Sequence, residues 1–211
     1  MHVETDRDGW DARLAAAVPG GRGRVRVVTV EGRSGSGKST VAERLRAALA
    51  ARGTAAAVLA MDDLYPGWHG LARAPELLVS WVLEPLRAGA PARWRRYDWE
   101  HDRFSNEESA LPGPVAAGGV LVVEGCGSGA RIVRPHVDLS VWVDASDAVR
   151  DRRLDARGDA ALYAPFRRVW ADQEAVFYAA ERPREHADAV VGNSRGPDLT
   201  TPRPGRGRRT R

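Results

Sequence analysis

The sequence has little lysine, little cysteine and no long hydrophobic run. Of its 32 lysine and arginine residues, only Lys38 is a lysine and the rest are arginine. The one cysteine, Cys126, cannot form an internal disulfide, which is typical of proteins from a reducing compartment. No stretch approaches the roughly 20 consecutive apolar residues of a membrane span, and no signal segment opens the chain. We therefore expect a cytoplasmic protein without a membrane partner.

The positive charge of the chain is concentrated at its C-terminal end. Residues 195–211 carry six arginines and one aspartate, a net charge of +5, whereas the whole chain carries +4, which leaves about −1 for residues 1–194. The segment is rich in proline and glycine and has no apolar periodicity, which predicts a disordered basic tail. Since the rest of the chain is nearly neutral, the composition argues against a nucleic-acid partner. A homo-oligomer is left open.

Short apolar runs alternate with helical patterns through most of the chain. The runs "RVRVVTVEG", "AAAVLA", "GGVLVVEG", "VDLSVWVDA" and "ADAVVGN" predict strands, and helical patterns cover 38–52, 75–88, 147–157 and 162–181. This alternation predicts a three-layer α/β/α fold with a mostly parallel sheet of about five strands. We divide the chain into an N-terminal lead (1–23), one domain (24–194) and the tail (195–211).

The segment that holds the single lysine matches the motif G-x-x-x-x-G-K-[ST]. It follows a predicted strand and begins a predicted helix, as a P-loop should. In such a loop, backbone N–H groups and the helix N-terminus bind phosphate, lysine reaches the β- and γ-phosphates, and the serine hydroxyl binds Mg²⁺. The residues predicted to bind ATP are Gly32, Arg33, Ser34, Gly35, Ser36, Gly37, Lys38, Ser39 and Thr40. Arginine is too bulky for this position, which explains the one lysine.

Acidic residues follow two other predicted strands. Glu124 ends "VLVVEG", where it could hold the magnesium ion together with Ser39. Asp62 and Asp63 follow "AAAVLA", and a carboxylate there could take the proton from an attacking hydroxyl. Two adjacent acids are also common in turns, so that either residue could be the base, and we favour Asp62.

Two further segments could serve an acceptor. The insert at about 64–104 is rich in aromatic residues, including Trp68, and suits either the binding of a flat ring or the anchoring of an irregular lid. The segment at about 150–165 is an arginine-rich lid, which could neutralise charge on a transferred phosphoryl group. Cys126 has no histidine nearby in sequence, which favours a small buried residue over a nucleophile.

Together, "EGRSGSGKST", "MDDLY", "RYDWEHDRF", "LVVEG" and "RDRRLDARGD" resemble the uridine kinase and phosphoribulokinase group of P-loop kinases, from about residue 24 to residue 192. The resemblance implies that Asp62 is the general base and that Arg153 and Arg157 are lid arginines that act with Lys38. For acceptor binding, the resemblance implies Tyr65, Tyr97, Asp98, His101 and Arg103. To these we add Trp68 from the aromatic insert. The family's Phe-Asp-His-Pro segment has no clear counterpart here, so the resemblance leaves the acceptor open.

The sequence thus predicts an ATP- and Mg²⁺-dependent kinase that phosphorylates a hydroxyl of a small molecule, with a nucleoside such as uridine or cytidine as the best acceptor. Another hydroxylated metabolite, a cofactor precursor or an antibiotic is the alternative. A regulatory ATP-binding NTPase is the alternative from another class. The Asn-Lys-x-Asp motif of switch GTPases needs a second lysine and cannot occur here, the LSGGQ signature of transporters is absent, and the chain is short for an oligomeric ATPase motor.

Overall fold

A six-stranded parallel sheet forms the centre of the protein. We describe a computed structural model that covers residues 1–21, 23–158 and 160–194, so that the predicted tail at 195–211 lies outside the described residues. The strands of the sheet are β1 (His2–Glu4), β2 (Arg26–Glu31) and β3 (Ala56–Ala60), and, after a separate hairpin of β4 (Arg93–Asp98) and β5 (Arg103–Ala110), β6 (Val120–Glu124), β7 (Leu139–Asp144) and β8 (Ala189–Gly192). Their order is β1-β8-β7-β2-β6-β3, and every adjacent pair is parallel.

Helices cover both faces of the sheet. They are α1 (Trp10–Ala17), α2 (Lys38–Ala51), α3 (Ala74–Leu78), α4 (Glu84–Arg87), α5 (Gly113–Ala116), α6 (Asp147–Asp155), α7 (Ala160–Tyr163) and α8 (Arg167–Glu181). On one face, α1 and α2 pack on the valines of the central strands, and on the other face α3, the hairpin and α8 form a second core. The predicted three-layer α/β/α fold is therefore confirmed. Within the described part of the chain, no helix has the length and apolar character to span a membrane.

The strand register brings the predicted site residues to one edge of the sheet. Val30 of β2 and Ala60 of β3 both lie opposite Glu124, the last residue of β6. The loop after β2, the 3₁₀ turn Met61–Asp63 after β3 and Glu124 therefore meet at the carboxyl edge, where open α/β sheets hold their ligands.

Three elements differ from the prediction. Residues 2–4 lie within the predicted lead but form the edge strand β1, which is too short to show periodicity. The strands β4 and β5, which form an antiparallel hairpin, were not among the predicted strands. The helix predicted over 75–88 contains a π-helical turn, Val79–Leu83, just before Pro85. In a regular α-helix the ring of Pro85 would clash with the carbonyl group four residues earlier, and proline has no N–H to bond to it.

Candidate active site

The backbone of residues 32–39 forms a tight loop between β2 and α2. Gly37 has φ +94°, and a Cβ there would lie 2.3 Å from Nδ2 of Asn193. Gly35 has φ +80°, and a Cβ there would lie 2.5 Å from the carbonyl oxygen of Arg150. Both positions therefore require glycine, for conformation and for space.

Several N–H groups of this loop are available to a ligand. Among the hydrogen bonds of the described residues, none has the backbone N–H of Gly35, Gly37, Lys38 or Ser39 as its donor. Lys38 and Ser39 also begin a 14-residue helix, whose N-terminus carries a partial positive charge. These donors and this charge fit a polyphosphate, which is the ligand that the motif predicts.

The ammonium group of Lys38 lies among carboxylates. Its Nζ donates a hydrogen bond to the carbonyl oxygen of Arg33, 3.2 Å away. Burial alone would lower the pKa of Lys38, but its interactions with Cys126 and with the carboxylates of Glu174, Glu124 and Glu31 outweigh burial and raise the pKa above its ordinary value. Lys38 therefore stays protonated at neutral pH and can bind phosphate.

Ser39 and Glu124, the two residues predicted to hold a magnesium ion, contact each other. The Oγ of Ser39 donates to Oε1 of Glu124 at 2.9 Å, and Glu124 is buried at the end of β6. A hydroxyl and a carboxylate are oxygen ligands of the kind that Mg²⁺ prefers, so this donor set fits the ion. Thr40 is buried in the first turn of α2.

The structure distinguishes the two adjacent aspartates. The carboxylate of Asp63 accepts a hydrogen bond from Nε of Arg96, 3.1 Å away on β4. Asp62 lies two residues after Ala60, the residue paired with Glu124, and its carbonyl oxygen accepts a hydrogen bond from Nε1 of Trp99 at 3.1 Å. Asp63 thus anchors the hairpin, whereas Asp62 lies between the carboxyl edge of the sheet and the aromatic insert.

Arg153, a predicted lid arginine, lies under the P-loop. It is 7% exposed and donates to the carbonyl oxygens of Ser36 at 3.3 Å and Asn193 at 3.0 Å. Asn193 is fully buried and donates from Nδ2 to the same Ser36 carbonyl at 2.8 Å. The structure therefore gives Arg153 a part in shaping the loop, which differs from the predicted contact with a transferred phosphoryl group. The guanidinium carbon of the other lid arginine, Arg157, lies over the ring of Tyr163, 5.3 Å from its centroid. The catalytic role of Arg157 stays a prediction.

Tyr65 differs from its predicted role in acceptor binding. Its side chain is 2% exposed, and its hydroxyl donates to the carbonyl oxygen of Cys126 at 2.8 Å. Tyr65 therefore belongs to the core beneath the insert. Its buried hydroxyl needs a hydrogen-bond partner, and the backbone carbonyl of Cys126 provides one. Burial raises the pKa of the Cys126 thiol well above its usual value, as expected of a buried, unreactive cysteine.

Trp68 lies in a cluster of half-buried aromatic rings. Its ring stacks on Phe166 with centroids 4.5 Å apart and contacts Trp99 at 4.8 Å. Tyr97 contacts Trp99 edge-to-face at 5.2 Å. We call Trp68, Tyr97, Trp99 and Phe166 the aromatic cluster. The cluster joins the insert to the lid, since Phe166 follows α7.

The remaining predicted acceptor residues lie at the tip of the hairpin. Oδ2 of Asp98 is 2.8 Å from Nδ1 of His101, and this contact lowers the pKa of Asp98. Arg103, opposite Asp98 in the hairpin, is exposed. Tyr97 lies in the aromatic cluster, whereas Asp98 pairs with His101 outside the cluster. Contact of an acceptor with Tyr97, Asp98, His101 and Arg103 stays a prediction.

Two site residues were missed by sequence reasoning. Asn193 follows β8 and holds Ser36, and Glu174 in the middle of α8 accepts a hydrogen bond from the N–H of Ser34 at 3.0 Å. The position of Asn193 carried a weak signal, since this residue ends a predicted strand at the carboxyl edge of the sheet. No sequence signal marked Glu174, because a single acidic residue in a polar helix cannot be told from a solvent-exposed one.

Comparisons with known proteins agree with this geometry. The sequence matches the family model described as AAA domain over residues 28–162. The structure is similar to that of a possible uridine kinase from Bacillus stearothermophilus, with 22% sequence identity, coverage of 85% of this chain and 94% of that chain, and a TM-score of 0.63. It is also similar to a candidate fructose transport system kinase from Silicibacter sp. TM1040, with 23% identity, coverage of 85% and 98%, and a TM-score of 0.55.

A search of curated proteins found no match to this chain. The structural similarities lie at low sequence identity and therefore establish the fold, which is the P-loop kinase fold that the sequence resemblance implied. The family model covers more than half of the chain and includes both the P-loop and Glu124. The protein belongs to the AAA-domain family and has the fold of a P-loop kinase.

Proposed function

We propose that the protein is an ATP-dependent kinase that transfers the γ-phosphoryl group to a hydroxyl of a small molecule, with a nucleoside as the best acceptor. One observation carries the proposal. The protonated Lys38, the Ser39–Glu124 pair at 2.9 Å and Asp62 meet at one edge of the sheet, next to a cluster of partly exposed aromatic rings. A nucleotide-binding loop, a candidate base and a surface for a flat ring are the parts that such a transfer needs.

Each residue has a role in the proposed reaction. The N–H groups of the loop and the ammonium group of Lys38 bind the phosphates and stabilise the charge of the transferred group. The carboxylate of Asp62 accepts the proton of the acceptor hydroxyl. Ser39 and Glu124 would hold a magnesium ion, which supplies charge neutralisation when bound. Arg153 shapes the loop from below, and Arg157 is the lid arginine that could approach the phosphates.

The aromatic cluster supports a flat acceptor. Nε1 of Trp99 donates to the carbonyl oxygen of Asp62, which fixes the cluster directly beside the proposed base. Trp68 and Trp99 are half-buried and not enclosed in the core, and aromatic side chains at such a place suit stacking with a heterocyclic base. The polar residues Asp98, His101 and Arg103 of the hairpin tip could form hydrogen bonds with the edge of that base.

The test is product formation with Mg·ATP and a panel of nucleosides and other hydroxylated metabolites, followed by mass spectrometry. The wild-type chain should yield a monophosphorylated product. Lys38→Ala should lower the rate by about 100-fold or more, which is typical of losing a preorganised charge at the transferred group. Arg46→Ala, on the same helix but at its surface, where Arg46 pairs with Glu43, should keep the wild-type rate.

The match to the AAA-domain family favours a second candidate, a nucleotide-binding NTPase without a small-molecule acceptor. It predicts phosphate release from ATP that Lys38→Ala abolishes, with no phosphorylated product from any compound. Equal rates of product formation for wild type and Lys38→Ala would contradict the kinase candidate, and equal rates of phosphate release would contradict the NTPase candidate.

A further inference from the structure

Glu174 is a buried carboxylate that contacts the P-loop directly. It lies on α8, is 3% exposed and is separated from the loop by 140 positions in sequence. Its Oε1 accepts hydrogen bonds from the N–H of Ser34 at 3.0 Å and from the Oγ of Ser34 at 2.5 Å. Nε1 of Trp170, one turn earlier on α8, donates to the same oxygen at 3.1 Å and orients the carboxylate.

A carboxylate at this place needs a physical reason. Burial of a carboxylate is costly, and a negative charge beside a phosphate-binding loop repels the ligand that the loop binds. Such a residue is explained if its side-chain oxygen holds a group of the loop in the position that the ligand needs. We propose that Glu174 is a positioning residue of the P-loop, which holds Ser34 so that the following N–H groups converge on the triphosphate. The proposal rests on the proposed function of the loop as the ATP site.

The surroundings of Ser34 support this role. Its carbonyl oxygen accepts a hydrogen bond from Arg150 of α6 at 3.0 Å, so that all the polar groups of Ser34 are bound from outside the loop. Ser34 directly precedes Gly35, whose N–H is among the available donors of the loop. The N–H and the C=O of Ser34 belong to the two peptide groups on either side of its Cα, and the C=O shares its planar peptide group with the N–H of Gly35. Hydrogen bonds to both groups therefore orient the N–H of Gly35.

The same turn of α8 also contacts the acceptor insert. Nε2 of Gln173 donates to the carbonyl oxygen of Trp68 at 2.7 Å. Adjacent residues of one helix therefore hold the P-loop and the aromatic cluster. Glu174 thus acts from a rigid element that is shared by both halves of the proposed site.

The test is the affinity for Mg·ATP, measured by titration calorimetry without an acceptor. Glu174→Ala should weaken binding by about 10-fold or more, because Ser34 loses both hydrogen bonds to a charged acceptor. Glu174→Gln should stay within about threefold of wild type, since its amide oxygen can still accept the N–H of Ser34. Glu174→Asp keeps the charge but is one methylene too short, so it should bind as weakly as Glu174→Ala.

The control is Val176→Ala, on the same helix with a side chain that is 71% exposed, which should bind as wild type does. Thermal melting shows whether each variant is folded, and the comparison of Gln with Asp remains if Ala does not fold. Unchanged or tighter binding by Glu174→Asp, or a loss in Glu174→Gln as large as that in Glu174→Asp, would overturn the inference. If the wild-type chain itself binds no triphosphate, the proposed function fails instead.

Discussion

At the residue scale, the adjacent acids Asp62 and Asp63 have different surroundings. Asp63 binds Arg96 of the hairpin at 3.1 Å, whereas Asp62 lies beside the aromatic cluster and the carboxyl edge of the sheet. Asp62→Asn should therefore lower the turnover of the kinase reaction by about 100-fold or more, as the loss of a general base does, and leave the Kd for Mg·ATP nearly unchanged. Turnover and calorimetry on the same preparation measure both quantities.

Asp63→Asn is the matched control for this prediction. It removes one charge from the same 3₁₀ turn but keeps the residue's size, so it should loosen the hairpin and change turnover only a few-fold. Loss of turnover in Asp63→Asn together with a normal rate in Asp62→Asn would show that Asp63, and not Asp62, is the general base. The two variants therefore test the assignment and not only the presence of an acid.

Sequence spacing predicts residues whose role is local. The P-loop glycines, Lys38 and Ser39 act within one short segment, and Glu124 follows a strand that is recognisable by its composition. Glu174 and Asn193 reach the loop across 140 and 157 positions, and no spacing within the sequence records such a contact. The burial of Tyr65 and Arg153 likewise depends on packing between elements, which residue type does not show.

At the element scale, the short strand β1 supports the P-loop through one residue that follows it. Thr5 donates from Oγ1 to Oδ1 of Asn193 at 2.8 Å, and Asn193 in turn holds the Ser36 carbonyl. Thr5→Val keeps the shape of the side chain but leaves a buried amide oxygen without this donor. We expect a loss of about 1–3 kcal/mol in the free energy of unfolding, together with weaker Mg·ATP binding. Urea denaturation and calorimetry measure the two effects.

Thr54→Val provides the comparison for Thr5→Val. Thr54 lies between the end of α2 and the start of β3, at the edge of the sheet opposite to the P-loop. Its backbone N–H donates to the carbonyl oxygen of Leu49. This variant should leave Mg·ATP binding unchanged. If Thr5→Val binds ATP as wild type does, β1 is an edge strand without influence on the site.

The same scale explains which elements were difficult to predict. The strands β2, β6 and β7 are apolar because both their faces are covered, and such runs are recognisable. The strand β1 has three residues, and β5 is polar because the hairpin lies outside the main sheet and much of it is exposed. Composition therefore predicts the central strands well and the peripheral strands poorly.

At the scale of the whole molecule, the core contains a carboxylate that connects distant parts of the chain. Glu31, the last residue of β2, is buried and accepts hydrogen bonds from the N–H groups of Gly32 and Gly129 and from the hydroxyl of Tyr178 on α8. Burial outweighs these hydrogen bonds and raises the pKa of Glu31 to about 7. The folded protein therefore binds a proton that the unfolded chain releases at lower pH.

This difference makes stability depend on pH. Because the pKa is raised by folding, the contribution of Glu31 is fully present below its unfolded pKa of 4.5 and is lost as the pH rises through about 7. Between pH 5 and pH 8, the wild-type protein should lose about 2 kcal/mol of unfolding free energy relative to Glu31→Gln, which stays neutral throughout. Urea denaturation at both values measures this difference, and Glu43→Gln, an exposed substitution on α2, should follow the wild type. If Glu31→Gln and wild type change equally between pH 5 and pH 8, Glu31 does not titrate in this range, and the buried core carries its charge at neutral pH.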